Sequence, residues 1–416
     1  MLTDLTILRV VVARLIARAG GEAAFFIGVW GMAAYTFDAT SAQIAVLMAT
    51  LAISSMVGAA IAGAMVDRYG PRNVIVAAQL LYIPVTLAVP LTRTIWELIA
   101  ACVIFGLAHA PIMTATGSFA PYLRSQPAEI ERVNALLEGT GAIAFVAGPA
   151  MGAFVAKLFS VESVFYLDAI LTSLGVLLVW PVSTPGRGVH ERRQPLSEVI
   201  EGVRVAYGIR PVRYYVLMGT VVWFSFGAFG ALEPLFFRDV VGVGVETIGW
   251  MNSIFGAGIG LGAFLLTRMP ASYTSARSLS IGVAAMALCS MIYIGTTDLR
   301  VIALGSLLWG LVTGAVEPLL RTLMQIDSPE THIGRVMGTS QLHRSAGELV
   351  PLALAPALAA VIGVQGVMIA GGALAATFAL GSLGHALSLD RAGHGLHGPV
   401  SLGDAMPADE PVSPIT

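Results

Sequence analysis

The chain has 416 residues, of which 56% are hydrophobic and 12% charged, with a mean hydropathy of +0.81. Soluble proteins carry roughly 25% charged residues, so about half the usual polar surface is missing and a water-soluble globule is excluded. The net charge of −2 gives no general affinity for nucleic acid, and the two cysteines, Cys102 and Cys289, lie in separate apolar runs that suggest neither a disulfide framework nor a metal site. In lipid, backbone groups must be satisfied within helices or closed barrels. The apolar runs are about twenty residues long and do not alternate, which predicts helices rather than barrel strands.

The N-terminus has no signal-peptide cleavage pattern, and its first apolar run reads as a retained helix. Twelve spans are predicted, near 10–37, 42–66, 74–92, 96–119, 134–157, 163–182, 212–236, 246–267, 277–296, 299–323, 337–362 and 365–387. The longest internal hydrophilic segment, 183–211, divides six from six. The expected fold is an all-α integral membrane protein of twelve transmembrane helices in two pseudo-symmetric halves, 1–182 and 212–387, with a site between them. Residues 183–211 form a cytoplasmic linker, and 388–416 a cytoplasmic tail without a core-forming pattern, expected to be disordered. His385, His394 and His397 are too loosely spaced to argue for a metal. One set of loops carries most of the arginines, whereas the opposite set has only Arg93, Lys157, Arg238 and Arg300. By the positive-inside rule both termini are cytoplasmic, in the inner cell membrane.

Between the second and third spans the chain compresses Gly63, Asp67, Arg68, Gly70, Pro71 and Arg72 into ten residues. So short a connection puts both arginines at one membrane face, as a conformational latch or as a topology-fixing turn. The connection after the eighth span repeats it weakly, with Gly262 and Arg268 but Leu266 in the place of Asp67, so the halves are not mechanically equivalent. The fifth span contains Gly148, Pro149, Gly152 and Ala153. Small residues let backbones approach and proline removes a helix hydrogen bond, which suits a helix that seals and reopens a pathway. Ordinary membrane packing is the other reading, as for Gly256 with Gly260 and Gly258 with Gly262.

Charges inside the spans carry the chemistry, since each costs about 2.5–3.5 kcal/mol at the bilayer centre on insertion scales. Glu22 follows Arg18 by four residues; Glu138 lies a turn into the fifth span; Asp168 is in the sixth; Glu233 precedes Pro234 in the seventh. Glu317 and Arg321 share a face with Gly310 and Gly314 that should look inward, and Arg344 with Glu348 repeats that spacing. The alternatives are snorkelling for Arg18, Glu22 and Glu138, neutralised structural pairs for the last four, and an outer-interface position for Asp168 and Glu233. A buried carboxyl without a partner holds its proton more tightly and can exchange it near neutrality. Phe25, Phe26, Trp30, Met32, Trp223, Phe224 and Trp309 either line an adaptable apolar cavity or face lipid.

The 63–72 cluster resembles the signature between the second and third helices of major facilitator superfamily transporters, with Pro71 where a second basic residue is usual. The fifth-span motif resembles the antiporter motif of the drug-exporting branch, with Ala153 for its final glycine. The arginine motif of that branch's fourth span is missing: Gly106 fits, but Cys102 stands in the arginine's place, and His109 lies about a turn further on. Arg132, Asn134 and Glu138, and later Gly334, Arg335 and Gly338, are similar to the macrolide- and tetracycline-efflux branch of drug:proton antiporters.

The resemblance implies a secondary exporter of amphiphilic or hydrophobic small molecules, drugs or natural products, working by proton antiport and alternating access. Its partners would be the small-molecule substrate, protons and the lipid bilayer, with no cofactor and a monomeric state. Candidate coupling or substrate residues are Glu22, Glu138, Glu233, Glu317 and Arg321; the latch is Gly63, Asp67, Arg68, Gly70 and Arg72; the antiporter-type helix carries Gly148, Pro149 and Gly152. No Walker-type loop occurs and Lys157 is the sole lysine, so ATP is not the expected fuel. The alternative is an importer or facilitator of the same fold. A membrane enzyme would need a nucleophile cluster or metal set that the chain lacks.

Overall fold

The computed structural model describes residues 4–124, 126–183 and 195–393, and all regular structure among them is helical. The first span runs Leu5–Ala23 and continues in wider π turns at Ala24–Val29 and Met32–Thr36. Spans two to six are Ser41–Tyr69, Pro71–Ala88, Ile95–Gly117, Pro127–Leu158 and Ser163–Val179. The seventh begins as Arg210–Phe226 and is carried on by Phe229–Leu235 and Phe236–Val241. Spans eight to ten are Val245–Leu266, Ala276–Ile294 and Leu299–Ile326. The last two share one stretch, Ile333–Gly381, parted at Gly363, whose φ of 77° only glycine adopts readily.

Nine helical stretches among the described residues are long and apolar enough to cross a membrane on those grounds alone. Twelve crossings result because Ile333–Arg391 holds two, the sixth span is a shorter apolar helix, and the first is interrupted by Arg9, Arg14, Arg18 and Glu22. Several spans begin ahead of expectation: the first at Leu5 against 10, the fifth at Pro127 against 134, and the eleventh at Ile333 against 337. The 183–211 linker also contains a helix, Pro195–Gly208. The expected tail begins within another helix, Leu383–Arg391, and its remainder from 394, with His394 and His397, lies outside the described residues.

Local chemistry sets the helix ends. Thr40 and Gln43 form a reciprocal capping box at the second span, and Thr94 and Asp298 cap the fourth and tenth through their side chains. Gly70, also at φ 77°, ends the second span, and Pro71 opens the third at its first helical position, where a missing N–H costs nothing. The basic residue usual at position 71 has thus been replaced by a helix starter.

At the first span, Asp4 Oδ1 accepts from the Thr6 N–H at 2.9 Å and the carboxylate also pairs with Arg124. The Arg124 guanidinium first, and the Thr6 amide second, hold the Asp4 carboxyl below its usual range. A carboxyl lowered on folding stabilises above its unfolded pKa of about 3.9, and that contribution is lost as pH falls through the folded value. Asp4→Asn should therefore lower the melting temperature of purified protein at neutral pH and converge with wild type in acid. A difference that persisted unchanged in acid would mean the charge is irrelevant.

Within the first half, the first span packs on the fifth and sixth, and the fourth on the second and third; in the second half the tenth packs on the eighth and ninth, and the eleventh–twelfth stretch on the seventh and ninth. Gly258 and Gly262 admit the backbone of Leu307 and Leu311, while Gly310 and Gly314 admit that of Phe255 and Ile259, so the Gly310–Gly314 face is packed on the eighth span rather than turned to lipid. Ile170, Leu177 and Val361 are among the exposed apolar side chains that give the exterior its lipid-facing character.

The halves meet where the fifth span touches the eighth and the second touches the seventh and eleventh. At the arginine-poor face they are tied: Tyr35 donates to the Val243 carbonyl at 3.0 Å, and Arg238 reaches Asp38 at 2.7 Å and the Ala34 carbonyl at 2.6 Å. At the arginine-rich face the described ion pairs Asp4–Arg124, Arg14–Glu138 and Glu201–Arg335 do not join one half to the other, so among the described ion pairs the halves are closed together only at the arginine-poor face.

Candidate functional site

A cavity of about 420 Å³ lies in the first half among the first, second and fourth spans. Its wall includes Arg18, Gly21, Glu22, Phe25, Leu51, Ser55, Phe105, Gly106, His109 and Met113. Gly106 seats the fourth span against the second, since a Cβ there would come within 2.2 Å of Ser54 Oγ and 3.0 Å of the Leu51 carbonyl. Glu22 Oε1 lies 3.2 Å from Arg18 Nε, with 18% of the carboxylate side chain exposed. The ring of His109 stacks on Phe105 with centroids 6.1 Å apart. Cys102, where the related branch carries arginine, is fully buried.

The fifth span is wedged between the first and the eighth. A Cβ on Gly148 would meet the Ala19 carbonyl at 2.6 Å and Glu22 Cβ at 2.7 Å, and one on Gly152 would meet Ile27 at 2.9 Å. On the other side, Gly249 receives the Pro149 carbonyl and the Ala153 methyl. This motif therefore supports Glu22 from behind and also forms the seam between halves.

The other carboxylates are dispersed. Glu138 is 77% exposed and pairs with Arg14 at 3.4 Å, so it lies on the surface and outside the cavity wall. Glu233 is buried and accepts from the Tyr293 hydroxyl at 2.6 Å and from Asn252 Nδ2 at 3.4 Å, nearer the closed face. Glu317 and Arg321 line a smaller hollow in the second half with Trp223 and Arg344. The ion pair formed there is Glu317–Arg344 at 3.4 Å, between the tenth and eleventh spans, in place of the expected pairing along each helix. The Arg344 guanidinium also lies over the Trp223 ring, 3.7 Å from its centroid, a cation–π contact that the same geometry accommodates. Tyr293 and Asn252 were invisible as partners of Glu233 in the sequence, since nothing in spacing relates them.

The aromatic residues divide. Phe25, Phe26, Phe145, Phe255 and Trp309 form a chain of ring contacts that crosses from one half to the other. Trp30 donates to Met48 Sδ at 3.4 Å, Met32 is buried, and Phe224 faces outward.

For the latch, only the helical backbone of Gly63 and Asp67 is described, and their surroundings lie outside the described residues. Arg68 is exposed over the Tyr69 ring. Arg72 Nε donates to the Trp180 carbonyl at 3.2 Å and its guanidinium covers the Trp180 ring, which ties the turn to the end of the sixth span. The start of the eleventh span is met by Glu201 of the linker helix, 2.8 Å from Arg335 and 2.9 Å from His332. No cluster of three His, Cys, Asp or Glu suited to a metal occurs among the described residues.

Two six-helix halves tied at the arginine-poor face, with charged and aromatic side chains lining a cavity, fit a multi-pass membrane transporter. The chain belongs to the Major Facilitator Superfamily, whose sequence profile matches residues 10–351, and it is accordingly a transporter and not an enzyme. The multidrug efflux pump Tap of Mycobacterium tuberculosis is 26% identical over 340 residues, covering 77% of this chain and 79% of that protein. The uncharacterized MFS-type transporter YfiS of Bacillus subtilis is 22% identical over 362 residues, 83% and 85% of the two chains. Among solved structures, the nucleoside transporter NupG aligns with a TM-score of 0.72 at 12% identity, covering 91% of this chain and 99% of that one. A D-xylose-proton symporter aligns at 0.71 and 13%, covering 92% and 97%. At such identity these structures speak to the fold alone.

Proposed function

We propose that this transporter exports amphiphilic small molecules of the drug or natural-product kind across the cytoplasmic membrane in exchange for protons, by alternating access. The observation that carries the reading is Glu22 set among Phe25, Phe105 and Met113 in a cavity of about 420 Å³. A carboxylate beside aromatic faces suits a molecule with an apolar body and a positive charge. The arginine-rich face is read as cytoplasmic by the positive-inside rule, and on that reading the cavity would take its cargo from inside the cell. The likeness to Tap pumps supports export as the direction.

Each charge moved across 100 mV is worth about 2.3 kcal/mol, enough for a concentration ratio of roughly 50. Glu233, nearer the closed face, is where an outward opening would admit external protons. One chain supplies every group invoked, so a monomer suffices.

Ethidium uptake into everted membrane vesicles tests the reading. Energised vesicles carrying the protein should accumulate the dye and lose it when a protonophore is added. Uptake no greater than in vesicles without the protein, for ethidium and a panel of other lipophilic dyes, would remove the proposal.

Asp67 is assigned the latch. At the end of the second span, its carboxylate would meet the partial positive charge at the start of the eleventh when the cytoplasmic face closes, an interaction worth roughly 0.3–2 kcal/mol. Asp67→Asn should then favour the inward-open state, raise labelling of a cysteine placed in the cavity, and slow export. Wild-type labelling together with wild-type export would reduce Asp67 to a topological charge.

A further inference from the structure

We propose that Asp168 is a second proton-binding site, held behind the cavity wall and loaded through Tyr82 from the His109 side. The proposal rests on the antiport reading and adds a residue to it. The sequence leaves Asp168 either as a charge within the sixth span or at the outer interface; in the structure the residue is fully buried. Its Oδ2 accepts from the Tyr82 hydroxyl at 2.8 Å and its Oδ1 from the Thr172 hydroxyl at 3.3 Å. Among the described residues it forms no ion pair. An isolated carboxylate sealed from water is strongly disfavoured, whereas a neutral carboxyl held by hydroxyls is not.

The niche is shaped for this group. A Cβ on Gly20 would stand 2.6 Å from Asp168 Oδ1, so the first span leaves the space that the carboxyl fills. Its neighbour Gly21 faces about 100° further round the helix, where a Cβ would be 3.4 Å from His109 Nε2 at the cavity. A single thickness of backbone thus separates the buried carboxyl from a cavity-lining imidazole. Tyr82 spans that partition, with its ring 6.0 Å from the His109 ring and 4.9 Å from that of Phe105.

The titratable and charged groups around Asp168 are few. The first span brings Arg18 and Glu22, about half a turn to either side of the glycine pair; the third brings Tyr82; the fourth brings His109 and Cys102 behind Tyr82; the sixth adds the Thr172 hydroxyl. The fifth span places no titratable partner on Asp168 among the described residues.

A phenol both donates and accepts. When Tyr82 passes its O–H proton to Asp168, the phenol oxygen in the same step accepts a proton from a hydronium ion entering from the cavity beside His109, which is left as water, so Tyr82 is unchanged and Asp168 gains one proton drawn from the cavity. The reverse sequence releases it. Glu22 now holds Arg18 at 3.2 Å. A cationic substrate that engages Glu22 brings positive charge to the wall that hides Asp168, which favours loss of the Asp168 proton into the cavity. Substrate loading and proton release are coupled in this way.

Two measurements on purified protein test the site, with ethidium as the probe. Infrared difference spectra between mildly acid and mildly alkaline buffer should contain a protonated-carboxyl band that Asp168→Asn removes. In weakly buffered solution, Asp168→Asn should bind ethidium with wild-type affinity and lose most of the proton release that accompanies binding. Tyr82→Phe keeps the packing and removes the donor, so it should shift the frequency of the band and slow the release; this variant serves if Asp168→Asn does not fold. A band and a proton release unchanged in these variants would overturn the proposal. Absence of proton release from the wild type would instead overturn antiport, and the infrared band would still decide whether Asp168 carries a proton.

Discussion

Glu22→Gln should weaken binding of a cationic dye and reduce its proton-driven accumulation by at least about tenfold, the factor that corresponds to about 1.4 kcal/mol. Glu22 is the carboxylate in the cavity, pairs with Arg18 along its own helix, and stands against Gly148 of the seam helix. Glutamine keeps the size and hydrogen-bonding capacity but removes the charge and the proton. Glu138→Gln should stay near wild type, because its side chain is solvated and its pair with Arg14 is a surface one. Glu233→Gln should separate the two functions, with dye binding retained and uphill transport lost, since it touches Tyr293 and Asn252 and not the cavity. Dye uptake into everted vesicles and equilibrium dye binding decide among the three. Equal losses in all three variants would mean that position relative to the cavity is irrelevant.

Gly148→Val should be the most damaging change in the fifth span. Even a Cβ meets the backbone carbonyl of Ala19 at 2.6 Å and the stem of Glu22 at 2.7 Å, and backbone cannot rotate aside. Overpacking of this kind costs roughly 1–3 kcal/mol, and here it also pushes the first span away from the seam. The expected outcome is a lowered melting temperature together with near-complete loss of export. Gly139, nine residues earlier in the same helix, is exposed, and a Cβ added there would meet nothing within 4 Å. Gly139→Ala should be neutral or stabilising by up to about 1 kcal/mol through helix propensity. Similar melting temperatures for the two variants would contradict the packing argument.

The spans were legible because lipid demands about twenty apolar residues per crossing and arginines gather at one face, and both signals are local. The turn at Gly70 and Pro71 was likewise visible in the residues themselves. The linker helix Pro195–Gly208 was hidden because a polar amphipathic stretch carries no membrane signal, although its proline sits at the helix start. Within the site, neighbours four apart on one helix are readable, and Arg18–Glu22 forms as spaced. Glu317 exposes the limit, since its partner Arg344 is on another helix, 27 residues on, and also stacks on Trp223, more distant still in sequence. The Tyr82–Asp168 contact joins residues 86 positions apart and has no periodic signature.

Gly363 has a mechanical consequence. A single non-helical residue joins the eleventh span to the twelfth. One residue of chain reaches only about 3.3–3.6 Å, so neither helix can slide far along the other without unwinding. The eleventh span carries Arg344 beside the second-half hollow, and the twelfth is anchored near the ninth, where Gly372 packs on Met291. Gly363 therefore acts as a pivot: the eleventh span can tilt about it, but any shift of its Gly363 end along its axis is passed to the twelfth and, through the Gly372–Met291 packing, to the ninth.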